Sequence, residues 1–300
     1  MSDKVLKVAM IGLDSSHTVE FARRMQDPEY TEMERVSGLK TVACVRFPST
    51  FQSEPNQDER QKIMEGWGVK VTRNLDEAIA DCDAIMIPIN DPALHLEWFE
   101  RCAPLGKPIF LDKPMADSIA SGRRIAALAV EHKVPLFSTS SLRYDADFCA
   151  ALATNPEPET AYVFGPLGIA PAGSHVVWYG VHVFEMVVAA LGTGALTVRA
   201  SRDPSGLVIN VSYPDDRRGI AELTIGNYRY GGVLRNRADL IAAYNVTGGA
   251  KFYDATLRKV EEFFRSGKTP VPVAETLEVM GLLDAADRAS KSGNVEPVYV

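Results

Sequence analysis

Apolar residues in the first half of the chain come in short unbroken runs, each followed by a stretch with helical spacing. Val5 to Ile11 is a compact apolar run that stops at Gly12, and Thr18, Phe21, Ala22 and Met25 after it recur on one helical face. Thr41 to Val45, Ala84 to Ile87, Pro108 to Leu111 and Pro135 to Phe137 repeat the buried-strand pattern. Between them, Ala93 to Cys102 (closed by Gly106) and Asp117 to His132 read as helices. Strands covered on both faces are apolar throughout rather than alternating, so the pattern predicts an α/β fold with an open, doubly wound parallel sheet. Such a sheet takes its ligand at the carboxyl ends of its strands. The polar stretch around Pro48 to Asp58 interrupts the pattern and is expected to be mobile.

The second half reads differently. Thr160 to Phe164, Leu196 to Ser201, Leu207 to Tyr213, Gly219 to Ile225 and Leu240 to Val246 are strand-like, and Asp215-Asp216 and Gly231-Gly232 read as turns. A helix carrying Val181, Phe184 and Val188 interrupts the series. Two helices close the chain, one with Tyr253, Leu257, Val260 and Phe264 on a face, the other with Val279, Leu282, Leu283 and Ala286. The change of pattern places a domain boundary near Ser138 to Tyr144.

Composition narrows the partners. The 300 residues, 46% hydrophobic and 24% charged, are those of a globular chain of about two domains. A net charge of -7 with no basic run leaves no footprint for nucleic acid or an anionic membrane surface. Cys44, Cys82, Cys102 and Cys149 are scattered with no C-x-x-C, which argues against a metal site or a disulfide framework and fits a reducing, cytoplasmic setting. The most apolar later stretch, Val181 to Leu196, is broken by His182 and Glu185 and does not read as a membrane span. The expected partner is a small molecule.

Three segments carry chemistry. After the first strand, Gly12-Leu13-Asp14-Ser15-Ser16-His17 stands where a dinucleotide fold has G-x-G-x-x-G, and only the first glycine is kept. A carboxylate about 4 Å from a phosphate would repel it by roughly 4 kcal/mol at an effective dielectric near 20. Ser15 and Ser16 still offer hydroxyls and amides at a helix N-terminus, which attracts anions, or they merely cap the helix. Arg46 follows the second strand, where an acidic residue would hold the ribose of NAD and an arginine suits a 2′-phosphate, a lean towards NADP against the reading as a surface arginine. Asp112-Lys113-Pro114 ends the buried strand before it, and a lysine beside a cationic nicotinamide would have a depressed pKa suited to proton exchange with a hydroxyl; otherwise the Lys-Pro is simply a turn. In Trp178 to Glu185, His182 and Glu185 share a helix face, so the carboxylate could orient the imidazole; otherwise His182 is a packing histidine.

Taken together, these segments resemble the Gfo/Idh/MocA oxidoreductase family. Asp112-Lys113-Pro114 resembles its E-K-P motif, and His95 with Gly106-Lys107 resembles the H…G-K spacing before it. Gly180-Val181-His182 followed by Glu185 resembles G-x-H-x-x-D, and Arg143-Tyr144 falls where the family has an arginine after the sixth strand. The resemblance implies a Rossmann domain over residues 1–138, then a domain over 139–300 with an open, mainly antiparallel sheet that makes the interface of a homodimer or homotetramer. It implies NAD or NADP as cofactor and hydride transfer to or from a sugar- or cyclitol-like hydroxyl or ketone. Lys113 would handle the proton with His182 as partner. Gly12, Leu13, Asp14, Ser15, Ser16, His17, Arg46, Asn90, His95, Asp112 and Lys113 would line the cofactor, and Arg143, Trp178, His182 and Glu185 the substrate.

The chain departs from the family where it matters for chemistry. Trp178 stands where many relatives have an aspartate, and an indole accepts no proton, so a relay would need His175 or Glu185; the indole offers a stacking face for a sugar instead. Asp14, His17 and Trp178 also motivate two rival readings: a catalytically degenerate sensor or partner protein, and a glycoside-modifying enzyme that uses bound NAD transiently.

Overall fold

In the computed structural model, which describes residues 4–30, 35–249 and 251–300, the apolar runs of the first half become parallel strands. These are β1 (Leu6–Ile11), β2 (Leu39–Val45), β3 (Lys70–Thr72), β4 (Ala84–Ile87), β5 (Ile109–Leu111) and β6 (Leu136–Ser138). The helices α1 (Ser16–Gln26), α2 (Glu54–Gly66), α3 (Leu75–Ile79), α4 (His95–Cys102) and α5 (Ile119–Glu131) alternate with them. Strand order is β3-β2-β1-β4-β5-β6, every pair parallel. The order reverses between β1 and β4, and a crevice opens at the carboxyl ends of strands at such a point. Val8 to Ile11 and Ala84 to Ile87 are buried throughout, as covering on both faces demands.

The stretch around Pro48 to Asp58, expected to be mobile, is instead built into the fold. Ser53 caps α2 by accepting from the Asn56 amide, and Phe51 and Gln57 are buried. Helix α2 buries only Gln57 and Met64, so it has no apolar stripe for periodicity to detect.

The second half forms α6 (Ala146–Thr154), β7 (Thr160–Pro166), α7 (His175–Leu191), β8 (Thr197–Asp203), β9 (Gly206–Ser212), β10 (Arg218–Thr224), β11 (Gly231–Arg235) and β12 (Ile241–Asn245). Then come α8 (Lys251–Ser266), α9 (Val273–Ser292) and β13 (Val295–Pro297). The sheet runs β12-β11-β7-β10-β9-β8-β13, antiparallel except for β7 beside β10. Burial alternates along β9, β10 and β12, and α7 and α9 cover the buried face. Gly231-Gly232, expected as a turn, instead opens β11. A Cβ on Gly231 would meet the Phe164 ring at 2.6 Å, and one on Gly232 the Tyr162 carbonyl at 2.3 Å. These glycines permit close approach of neighbouring strands rather than a reversal of the chain.

The chain does not divide once. One compact unit comprises 1–115, 124–138 and 253–271; the other comprises 116–123, 139–252 and 272–300. Helix α8 thus returns all but its first two residues to the unit of the parallel sheet. There Asp254 accepts from Arg24 Nε at 2.6 Å and from the Tyr30 hydroxyl at 2.8 Å, while Arg24 also bonds Glu20. Arg24 and Asp254 side chains are 4% and 1% exposed, and the Arg24 guanidinium lies 5.2 Å from the Tyr253 ring centre. Removing one partner of such a pair leaves a buried charge uncompensated. Asp254→Ala is expected to cost about 3–5 kcal/mol, read as a lower urea midpoint at unchanged slope; a loss below about 1 kcal/mol would show that the pair does not hold α8 in place.

Candidate functional site

In the unit of the parallel sheet, the turn after β1 keeps one glycine for a definite reason. Gly12 has φ +110°, and a Cβ there would meet Ile89 Cγ1 at 2.8 Å, so the turn passes hard against the chain leaving β4. Ser15 is the N-cap of α1, its hydroxyl accepting from the His17 amide at 3.1 Å, and Thr18 ties the first turn back to the Gly12 carbonyl at 2.8 Å. Ser16 is exposed at this helix end. Leu13 is buried, and its carbonyl accepts from Arg60 at 3.1 Å.

The two replaced glycines have become structural. Asp14 is fully buried; Oδ1 accepts from the Asn90 amide at 3.1 Å and Oδ2 from the Ser49 hydroxyl at 2.8 Å. Burial pushes its pKa above the ordinary aspartate value, with Ser49 and Asn90 opposing. His17 Nδ1 lies 2.6 Å from Asp112 Oδ2, and Nε2 lies 3.0 Å from the Tyr253 hydroxyl. Burial by itself would raise the Asp112 pKa, but the charge and hydrogen bond of His17, then Lys113, hold it at about 2. An ionised carboxylate only accepts, so Nδ1 of His17 carries the proton of that bond.

Arg46 is also enclosed. Nη1 donates to Asp58 at 2.6 Å and Gln61 at 2.9 Å, and Nη2 donates to Glu54 at 2.5 Å. The lean towards NADP rested on a free guanidinium here; it faces two carboxylates of its own chain instead. His95 is fully buried, with Nε2 3.0 Å from the Ile89 carbonyl and Nδ1 3.3 Å from the Met115 carbonyl, which makes it a framework residue. Lys113 is half-buried, and no ion pair or hydrogen bond engages its ammonium among the described residues. Burial lowers its pKa below the ordinary lysine range, with Asp112 opposing. The frame of the crevice keeps what a dinucleotide needs of the backbone: the strand order, Gly12 and the N-terminus of α1 are all present.

In the second unit, His182 and Glu185 share a helix but do not serve each other. Ser140 Oγ lies 2.7 Å from His182 Nδ1. Glu185 accepts from Arg143 Nε at 2.9 Å, and Arg143 also reaches Glu275 at 2.7 Å; these two carboxylates outweigh burial and raise the arginine's pKa. Pairing with a buried guanidinium satisfies Glu185 better than a neutral ring would, so it does not orient the imidazole as expected. His175 is no relay either, since its Nδ1 accepts from the Ala170 amide at 3.0 Å. Trp178 packs against Tyr179 with ring centres 4.8 Å apart, and Tyr179 and Tyr230 flank His182 at 5.7 and 5.5 Å. Ser140, Glu275 and Tyr230 escape sequence reasoning because nothing in their spacing links them to His182 or Arg143. Tyr179, adjacent to Trp178 in the motif segment, carried the one usable signal. Among the described residues, no cluster of His, Cys, Asp and Glu could hold a metal ion, and no helix is long and apolar enough to cross a membrane.

Comparison with known proteins agrees with this fold. Residues 6–140 match the model of an oxidoreductase family with an NAD-binding Rossmann fold, Gfo/Idh/MocA. YceM of Salmonella typhimurium, named as an oxidoreductase, is 26% identical over 90 residues, 30% of this chain and 29% of that protein, so the match spans less than a third of the relative. Among solved structures, GenD2 from gentamicin A biosynthesis in complex with NAD superposes with a TM-score of 0.80 at 16% identity, covering 99% of this chain and 97% of that one. The myo-inositol dehydrogenase of Lactobacillus casei, in complex with NAD(H) and myo-inositol, gives 0.79 at 14% identity over 99% and 97%. That of Corynebacterium glutamicum gives 0.78 at 14% over 99% of each chain. At these identities the structural likeness is one of fold. Residues 6–140 thus match the NAD-binding Rossmann domain of the Gfo/Idh/MocA oxidoreductases, and the fold shared with these solved structures runs almost end to end.

Proposed function

We propose that this protein oxidises or reduces a carbon bearing a hydroxyl on a small sugar- or cyclitol-like polyol, using NAD. The observation that carries the reading is Lys113, a half-buried lysine with a lowered pKa at the end of β5, in the same unit as the retained dinucleotide frame. Bound nicotinamide dinucleotide supplies the hydride acceptor or donor. The backbone of Gly12 to Ser16 at the start of α1 would hold the diphosphate, helped by the helix N-terminus. In the direction of oxidation the neutral amine of Lys113, the form that burial favours, removes the hydroxyl proton; in reduction its ammonium returns it. Asp112, held ionised by His17, steadies that ammonium without taking the proton. In the second unit His182, held by Ser140, is assigned to hydrogen-bond the substrate oxygen, and Trp178 to stack on the apolar face of the ring. Arg143, tied to Glu185 and Glu275, fixes the backbone beside Ser140.

The inositol dehydrogenase of Lactobacillus casei, crystallised with a cyclitol, supports the substrate class. Arg46 supports NAD over NADP, because its guanidinium is already engaged by Glu54 and Asp58 and so is not free to receive a 2′-phosphate.

Two outcomes are expected. Lys113→Ala should lower kcat by about 10²–10⁴-fold with NAD affinity changed only a few-fold, in a screen of polyols followed by NADH absorbance. In the wild type, kcat/KM for oxidation should rise with pH and level off below the ordinary lysine value of 10.5, since the neutral amine is the active form. Full turnover by Lys113→Ala would remove the lysine from the mechanism. In thermal-shift and calorimetric titrations, NAD should bind on the order of tenfold more tightly than NADP, about the 1 kcal/mol that drawing Arg46 away from its carboxylates would cost; tighter binding of NADP would mean that Arg46 leaves its carboxylates to meet the phosphate.

A further inference from the structure

The dinucleotide frame is crossed by the chain's own segment. In the sheet β2 and β4 lie on either side of β1, so a dinucleotide spanning from the end of β2 to the mouth between β1 and β4 must pass over the end of β1. That passage is where Asp14 joins Ser49, from the loop after β2, to the Asn90 amide, from the loop after β4. A second tie crosses the same way. The Phe47 ring lies stacked on Trp98 of α4, centres 5.1 Å apart and planes 21° from parallel. A flat stack on an indole is a geometry that a planar base also takes, and here the Phe47 ring takes it.

Helix α2 holds the segment down. Arg46, at its start, is clamped by Glu54 and Asp58; Gln57 donates to the Phe47 carbonyl at 3.2 Å; and Arg60 donates to the Leu13 carbonyl at 3.1 Å. Phe51 is buried beneath, while Pro48 and Thr50 are exposed. Asp14 has no exposure left, and burial disfavours its charge, so its two hydrogen bonds are the ones that satisfy it in this arrangement.

We infer that residues 47–53 form a strap that fills the adenosine and diphosphate part of the crevice, latched by Phe47 on Trp98 and by Ser49 on Asp14, and that a dinucleotide binds only when the strap swings out. The inference rests on reading this crevice as the dinucleotide site. Binding then selects the open form, and the apparent dissociation constant is raised by the reciprocal of the open fraction. Weakening the latch should tighten binding, the opposite of what loss of a ligand contact does.

The test uses the full-length protein, with Phe47→Ala and Ser49→Ala made separately so that a folding defect in one does not decide the outcome. NAD is titrated by calorimetry, and amide hydrogen exchange over 47–53 is followed with and without saturating NAD. Each variant is expected to bind NAD about 3- to 10-fold more tightly than the wild type. Exchange over 47–53 in the wild type should become faster when NAD is bound. Wild-type or weaker affinity in both variants, or a strap that stays protected at saturation, overturns the inference while leaving the dinucleotide reading intact. If neither the wild type nor either variant binds NAD or NADP, the dinucleotide reading falls and the strap with it.

Discussion

The contact on which the site depends is the buried pair of His17 and Asp112, 2.6 Å apart. In a dinucleotide fold the third glycine of the first turn lets helix and strand approach closely. Here an imidazole takes that position and converts a steric allowance into an electrostatic bond between the first turn of α1 and the end of β5. The Tyr253 hydroxyl on the other ring nitrogen brings α8 into the same network. The pair sets two things at once. It keeps the Asp112 carboxyl ionised down to about pH 2, and it thereby leaves a negative charge directly beside Lys113. The aspartate's pKa is lower folded than unfolded, so its stabilisation is complete above the ordinary value of 3.8 and fades as pH falls towards 2, a contribution of about 2 kcal/mol.

Burial and charge pull Lys113 in opposite directions, and burial prevails. A lysine stripped of water with no carboxylate in contact would be neutral and useless as an acid, while one in a tight ion pair would be a poor base. The intermediate arrangement, a charge nearby but no ion pair formed, suits a group that must give and take one proton. The same balance is absent at Arg46, where two contacting carboxylates fix the charge for good.

Much of this was legible in the chain. Unbroken apolar runs such as Val8 to Ile11 determine a sheet covered on both sides, and Gly12 at the end of the first run already marked the mouth. What escaped was whatever depends on partners distant in sequence. Helix α2 has no apolar face, so its polar residues read as a loop, although Gln57 and Arg60 turn out to support the strap and the first turn. By its place in the first turn Asp14 either faces a phosphate or caps the helix, and spacing cannot show that Ser49 and Asn90 already occupy both its oxygens. Glu185 was paired with His182 because they share a helix face; Arg143, 42 residues away, was the stronger competitor. In each case local pattern gave the residue and long-range competition decided its partner.

The return of α8 gives the chain a property that its linear order hides. A fragment truncated at residue 140 would contain every strand of the parallel sheet and the whole region the family pattern recognises. It would also leave Arg24 interred without Asp254, strip the Phe263 ring from Phe137, and deprive His17 of the Tyr253 hydroxyl. The segment that the family pattern recognises thus leaves several of its own buried contacts unmade until residues 253–271 join it.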